Sequence, residues 1–302
     1  MSVVIKSYNH ARYVEQTIRS VLAQTLEDFE IVFTDDASTD ETPEIVTRFA
    51  DRRIRFARLP YNHGIPRAMN ATVARARGEY IAILNSDDFA LPERLATQVA
   101  FLRANPAVAA VFDVPRQVGE SGEPVEGFGR LFDVPFAHAN PSRQEWLHYF
   151  FFHANCLCAP SAMIRRAAYF ETGPYDPRLR FLHDLDKWVR LLESYEISVM
   201  KTGLTAFRIR AKRKNASAPG RMADLRRSFE LCQVLKRYRD FQPDFLREIF
   251  SAELTEHHID ASGDVRRWLG QIARLGLLPA HRLFAMDALV PRVLRLGEIA
   301  RR

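Results

Sequence analysis

At 302 residues and 47% hydrophobic, the chain can bury a sizeable core and is long enough for one large domain plus a smaller one. Its formal charge of +6 suits an anionic ligand such as a nucleotide, an acidic membrane surface or nucleic acid, and charge alone does not choose among them. Three cysteines, Cys156, Cys158 and Cys232, argue against a disulfide framework and for a reducing compartment. Cys156-Leu-Cys158 lacks a second Cys/His cluster to complete a tetrahedral metal site. The opening Met1-Ser-Val-Val-Ile5 has no signal-peptide apolar segment, and no apolar run nears the roughly 20 residues that span a bilayer. The expectation is a soluble, cytoplasmic protein.

The first half alternates strand and helix. Val3-Val4-Ile5 reads as a strand; after Ser7-Tyr8-Asn9-His10, residues Tyr13, Val14, Thr17, Ile18, Val21 and Leu22 recur at helical spacing. Phe29 to Phe33 is a second strand ending in Thr34-Asp35-Asp36-Ala37-Ser38-Thr39-Asp40, and Thr42-Pro43 starts a helix. Ile54 to Leu59 is a third strand, and Ile65 to Arg77 is Ala-rich and helical. Tyr80 to Leu84 is a fourth strand, Pro92 to Asn105 a helix with Leu95, Val99 and Leu102 on one face, and Val108 to Phe112 a fifth strand. This is an α/β pattern: a mostly parallel sheet with helices on both faces, in which ligands bind outside the carboxyl ends of the strands.

Three polar clusters fall at those ends: Ser7-Tyr8-Asn9, Asp35-Asp36 and, after the run Tyr80 to Leu84, Asn85-Ser86-Asp87-Asp88. Adjacent carboxylates repel each other unless something positive lies between them and their target, which points to a divalent ion that also holds phosphate oxygens. Acidic turns are also common as plain solvated loops. Convergence of three such loops on one sheet edge is what favours a site.

These segments, with Ser20-Val21-Leu22-Ala23-Gln24-Thr25 and Arg77-Gly78-Glu79-Tyr80-Ile81-Ala82, resemble in order and spacing the family 2 inverting glycosyltransferases of GT-A (Rossmann-like) fold. The resemblance covers about the first 110 residues. It implies a nucleotide-diphosphate sugar donor, Mn²⁺ or Mg²⁺, and an acceptor hydroxyl. Matched position by position, Asp36 resembles the carboxylate that bonds the nucleobase, with Tyr8 near the base and Ser7 and Asn9 in the same donor loop. Arg67 resembles a basic residue that reaches back to the nucleotide. Asp87 resembles the ribose-side group, close to the metal, and Asp88 the metal ligand. The sequence departs from the pattern at Asn85, where the family has the first aspartate of its acidic motif, and at Lys6, where it often has a small residue or proline. An Asp at position 36 suits the N3–H of a pyrimidine-dione, so UDP- or dTDP-sugars are the favoured donors.

Inverting transfer needs a base for the acceptor proton. Leu185, Trp188, Val189 and Leu192 share one face of an amphipathic helix whose first turn carries His183 and Asp184. The helix dipole there favours an ionised carboxylate and a low pKa. The stretch resembles the family's acidic motif before a Trp-containing helix, in which the aspartate matching Asp184 is the base. His183 replaces the usual Glu, which leaves three readings open for it, a part in proton transfer, an acceptor contact or a merely tolerated change, and Asp186 reads as a capping or buried hydrogen-bonding group.

Residues 113–145, rich in Gly, Pro and charge, read as a loop or lid, and His153 to Ile164 resembles the family's acceptor-side segment. The resulting organisation is a catalytic domain over 1–210, with a donor half (1–112) and an acceptor half (113–210). A basic linker and a helical subdomain with periodic apolar residues fill 211–302. The tail around Leu289 to Leu296 mixes Arg with aliphatics, so peripheral contact with the inner face of a membrane beside a lipid-linked acceptor is one reading and an ordinary solvated helix the other. The acceptor is expected to be a saccharide or lipid-linked. The chain lacks the glycine fingerprint of nicotinamide oxidoreductases and the aromatic-interleaved basic motif of nucleic-acid binders. A non-catalytic nucleotide-sugar-binding or scaffold protein on the same fold is the alternative from another class.

Overall fold

The computed structural model describes residues 1–125, 141–210 and 220–289. By compactness the chain divides into two units, Met1–Arg143 with Asn155–Pro219, and Gln144–Ala154 with Gly220–Arg302.

The first unit is built on a seven-stranded sheet. Its strands are β1 (Ser2–Ser7), β2 (Glu30–Asp35), β3 (Ile54–Arg58), β4 (Tyr80–Asn85), β6 (Val108–Asp113), β8 (Met163–Arg165) and β9 (Glu196–Met200), in the order β3-β2-β1-β4-β8-β6-β9. β1, β2, β3 and β4 pair in parallel, as does β6 with β9. β8 is antiparallel to both neighbours and separates β4 from β6. Alternation along the strands sends Val3, Ile5, Ile31, Phe33, Ala82 and Leu84 to one face, into a core with Val14, Ile18 and Val21 of helix α1 (Ala11–Leu22) and Leu95, Val99 and Leu102 of helix α4 (Arg94–Ala104). Val4, Val32 and Ile83, also buried, point to the other face. Central strands buried on both faces explain the unbroken apolar runs.

A small second sheet orders β5 (Phe89–Ala90), β10 (Thr205–Arg208) and β7 (Arg116–Val118). It gives structure to part of the segment read from sequence as a loop; residues 126–140 of that segment lie outside the described residues. β10 is placed by Asp113, at the end of β6. The Asp113 carboxylate accepts from Leu204 N (3.0 Å), Thr205 N (3.0 Å) and Thr205 Oγ1 (2.8 Å). Helix α2 (Thr42–Thr47) follows β2, α3 (Ile65–Val73) precedes β4, and α6 (Arg166–Glu171) and α7 (His183–Leu192) follow β8. On α7, Trp188 is fully buried and meets Phe112 of β6 edge-on, with ring centroids 4.9 Å apart.

The second unit is helical: most of α5 (Arg143–His153), then α8 (Arg221–Leu235), α9 (Pro243–Ile249), α10 (Ser251–Glu256), α11 (Val265–Ala273) and α12 (Pro279–Leu289). Phe151 packs against Tyr238 (5.1 Å) and Phe250 (4.8 Å). Residues 144–154, which the sequence reading placed in the 1–210 segment, cluster here. On α8, Leu231, Val234 and Leu235 are buried, whereas Leu225 and Phe229 are exposed. No helix among the described residues is long and apolar enough to cross a membrane. The tail proposed for membrane contact and most of the 210–220 connector lie outside the described residues.

Trp188→Ala is expected to lower stability by about 3–5 kcal/mol through the cavity it leaves beside Phe112, read as a fall in the urea midpoint. A loss below about 1 kcal/mol would mean that this contact does not hold α7 to the sheet.

Candidate active site

The carboxyl ends of β1, β2 and β4 lie side by side because these strands are paired in register, with Lys6 opposite Thr34 on one side and Asn85 on the other. The loops after β1 and β2 are laced together. Asp36 N donates to Ser7 O (2.8 Å), Asn9 N to Ser38 Oγ (2.9 Å), and Thr39 N to Asn9 Oδ1 (2.8 Å). Asn9 has φ 53°, a left-handed turn that Asn tolerates. Ser7 is fully buried and its Oγ has no hydrogen-bond partner among the described residues. Tyr8, the next residue, is 43% exposed.

Asp36 is buried, and its carboxylate accepts from His63 N (2.7 Å) and Gly64 N (2.9 Å). Gly64, at φ +81°, is the N-cap of α3, a conformation that a side chain would strain. The turn thus delivers two backbone donors to one carboxylate, and an ionised carboxylate has about four lone-pair sites, so acceptor capacity is left for a ligand. Arg67 stands exposed in the first turn of α3.

Beyond β4 the two aspartates face opposite ways. The Asp88 carboxylate is turned inward, 1% exposed, accepting from Asn85 Nδ2 (2.9 Å) and from Arg208 N (2.7 Å). Burial and the neighbouring Asp87 push its pKa up to about 8. The Arg208 side chain is also buried, donating from Nε to Asp87 O (2.7 Å), from Nη1 to Gly119 O (2.9 Å) and from Nη2 to Gln16 Oε1 (2.6 Å). Asp87 instead meets a cation: its Oδ2 lies 3.4 Å from Arg210 Nη1 and 3.9 Å from His10 Nε2. Arg210 Nη1 also lies 3.0 Å from His10 Nε2, and His10 Nδ1 is 2.7 Å from Ser86 Oγ. A guanidinium only donates, so His10 accepts at Nε2 and carries its proton on Nδ1. Burial, the largest influence, pulls its pKa down to about 4, consistent with a neutral ring. Burial also lowers the pKa of Lys6, against the attraction of Asp87, Asp88 and Asp36.

The sequence reading placed a divalent ion on Asp88 and Asp87. Each Asp88 oxygen accepts one hydrogen bond inside the protein, the Asn85 amide among the donors, and the Asp87 carboxylate faces Arg210. Among the described residues no group of three or more His, Cys, Asp or Glu side chains is placed to hold a metal ion.

Asp184 lies in the first turn of α7, where Asn155 Nδ2 donates to its Oδ2 (3.0 Å) and Leu185 N to its Oδ1 (2.8 Å). Burial raises its pKa above the ordinary carboxylate value; nearby His183 and these hydrogen bonds pull the other way. The low pKa expected from the helix dipole alone is therefore corrected: desolvation outweighs it. His183 meets the Tyr175 ring edge-on at 5.1 Å. Asp186 points into the protein and pairs with Arg190 (2.7 Å). The loop carrying Tyr175 is tied to α3 by Asn70, which donates to Tyr175 O and accepts from Tyr175 N, both at 2.9 Å. One helix thus connects the Asp36 turn to the segment that packs against His183. His10, Asn155 and Arg210 were not singled out as site residues from sequence; Arg210 lay in a basic run that reads as a connector.

Residues 2–172 match the model of glycosyl transferase family 2. The chain is 31% identical over 211 residues to TuaG of Bacillus subtilis, a glycosyltransferase assigned to teichuronic acid biosynthesis, covering 68% of this chain and 74% of that protein. Among solved structures, S. aureus TarS 1–349 in complex with UDP-GlcNAc matches with a TM-score of 0.65 at 18% identity, over 95% of this chain and 88% of that one. The mannosyltransferase PcManGT from Pyrobaculum calidifontis, in complex with GDP-Man and Mn²⁺, matches with a TM-score of 0.59 at 23% identity, over 95% and 79%. The last two establish the GT-A fold alone. With the family match spanning more than half of the sequence and all three strand-end clusters inside it, the chain belongs to glycosyl transferase family 2.

Proposed function

We propose that this glycosyltransferase moves a hexosyl or related group from a nucleotide-diphosphate sugar to an acceptor hydroxyl with inversion. The observation that carries the reading is the convergence of the Asp36 turn, Asp87 and Arg210 at one sheet edge, with an oriented carboxylate at the start of α7. Asp36, with capacity left on its oxygens, accepts from the nucleobase, and Tyr8 packs on the base. Ser7 and Asn9 shape that loop, and Arg67 reaches back to the nucleotide. Asp87 lies on the ribose and diphosphate side. Asp88 acts through the turn it holds, as a positioning residue. TarS, complexed with UDP-GlcNAc, and PcManGT, complexed with GDP-Man, support a nucleotide-sugar donor, and TuaG supports a role in polysaccharide synthesis.

Asp184 is the base. Asn155 and the Leu185 amide fix both of its oxygens, so a lone pair can be held toward the acceptor hydroxyl without reorganisation. The hydroxyl oxygen bonds to the anomeric carbon as the bond to the diphosphate oxygen breaks on the opposite face, and the proton goes to Asp184. A pKa raised from the carboxylate range brings the base closer to neutral pH, where proton acceptance is better driven. His183, beside Tyr175, lines the acceptor side.

Thermal unfolding with a panel of nucleoside diphosphates tests the donor reading. At about 100 times its dissociation constant a true ligand adds about 2.7 kcal/mol of stability, and uridine or deoxythymidine diphosphate is expected to shift the transition. No shift with any nucleotide would refute it. Asp184→Asn is expected to lose about 10²–10⁴-fold in turnover while keeping nucleotide binding; near-normal turnover removes Asp184 from the mechanism. Because the base works only when ionised, turnover should be present above its raised pKa and lost as pH falls through it. An acid limb at or below the unperturbed carboxylate value, about 3.9, would contradict the assigned burial effect.

A further inference from the structure

We propose that the corner between α11 and α12 is a docking surface for an anionic lipid bilayer, with Leu277, Leu283 and Met286 entering the headgroup layer and Arg274 and Arg282 meeting lipid phosphates. The proposal goes beyond the glycosyl-transfer reading and stands apart from it, since it concerns the helical unit alone.

α12 buries one stripe, Ala280, His281, Phe284 and Ala285. Its other face carries Pro279, Arg282, Leu283 and Met286 at helical spacing, all exposed, Leu283 to 45% and Met286 to 63%. The turn leading into the helix extends this face: Leu275 is 36% and Leu277 90% exposed. That turn is closely packed from within. Leu278 N donates to His281 Nδ1 (3.1 Å), so the ring proton is on Nε2, which lies 2.6 Å from Phe151 O. A Cβ on Gly276 would collide with the His281 ring, so the backbone runs directly over it. A turn pinned in this way presents Leu277 to water as a fixed feature of the fold.

Charge decides what covers it. From Val265 to Met286 the sequence carries four arginines and no aspartate or glutamate. Arg266 is turned to Asp287, whose carboxylate also pairs with Arg239 at 2.8 Å, so the acidic side chain of α12 is already engaged with cations. Arg267, Arg274 and Arg282 are exposed and have no acidic partner among the described residues. Exposed aliphatics alone would suit any apolar partner. Interleaved with unpaired arginines, they suit a surface that is negative and apolar at once, which the boundary between headgroups and acyl chains of an anionic bilayer provides. Arginine stems are apolar too, so Arg274 and Arg282 can lay their methylenes beside the leucines while the planar guanidinium bonds phosphate. No helix among the described residues is long and apolar enough to cross a membrane, so the contact is made from one side.

The test is co-sedimentation of the full chain with vesicles of phosphatidylcholine alone and of an equal mixture of phosphatidylcholine and phosphatidylglycerol. Binding to the mixed vesicles that falls in raised salt, and is weakened about 10-fold or more both by Arg274→Glu with Arg282→Glu and by Leu277→Asn with Met286→Asn, supports the proposal. No binding to the mixed vesicles, equal binding to neutral ones, or binding unchanged in either double variant overturns it. A chain that ignores vesicles but forms a dimer by light scattering, lost in Leu277→Asn with Met286→Asn, also overturns it and makes a second copy the occupant. All four positions are exposed, and each variant is first required to match the parent's unfolding temperature. If one double variant does not fold, the other variant and the salt dependence of the parent decide. Nucleotide-induced stabilisation is read on the same samples, so failure of the lipid contact leaves the glycosyl-transfer reading standing.

Discussion

A carboxylate at the end of a central strand, almost wholly withdrawn from water, has to be given donors, and Asp88 takes one of them from the Arg208 amide 120 residues further along the chain. That single requirement organises the catalytic unit. To bring the amide there, β10 must run beside β5, immediately after the turn, and Asp113 must hold the start of β10 with three donors of its own. Once β10 is in place the Arg208 side chain fills the gap between the turn, the 119–120 loop and α1, and the Asp87 carboxylate faces Arg210 and His10 instead. The place of the second carboxylate follows from satisfying the first.

The acceptor side is fixed by the opposite kind of contact, cations capping backbone carbonyls. Lys187 is buried and donates from Nζ to Tyr169 O, Thr172 Oγ1 and Gly173 O, while Arg190 bonds Pro174 O at 3.0 Å and pairs with Asp186. Burial lowers the Lys187 pKa to about 6, against the attraction of Asp186, while donation to three acceptors at once uses all three N–H bonds of the ammonium. These contacts pin α7 to the 172–174 turn, and the next residue, Tyr175, is pinned to α3 by Asn70. The base is therefore mounted on a helix whose rotation and position are both constrained, as precise proton transfer needs.

How much of this is legible in the sequence depends on the range of the interaction. Val3 to Ile5, Phe29 to Phe33 and Tyr80 to Leu84 announce themselves because a strand buried on both faces is an apolar run. Met163–Arg165, three residues long, carries no such signal, so its antiparallel insertion between β4 and β6 is invisible until the sheet is seen. The pair Asp87-Asp88 is conspicuous, but consecutive residues face opposite ways, and only the position of β10 decides which looks inward. Arg210 is harder still: it sits beside the basic run 212–214, and its partners are 123 and 200 residues away.

Two carboxylates in this unit have raised pKa values, and the shift alone would not tell which one does chemistry. For Asp88 burial is compounded by Asp87, and both of its oxygens are turned to groups inside the protein. For Asp184 burial acts against a helix start, His183 and two hydrogen bonds, so an ionised form is sustained while its basicity is still raised. A base must ionise and then accept a proton at working pH. Asp88, made reluctant to ionise and wrapped on both sides, fits a role in holding the turn. Asp184, with charge-stabilising donors and a pKa lifted by partial loss of water, fits proton transfer. Position, rather than the size of the shift, separates the two: Asp88 is 1% exposed behind the β4 turn, and Asp184 stands in the first turn of α7.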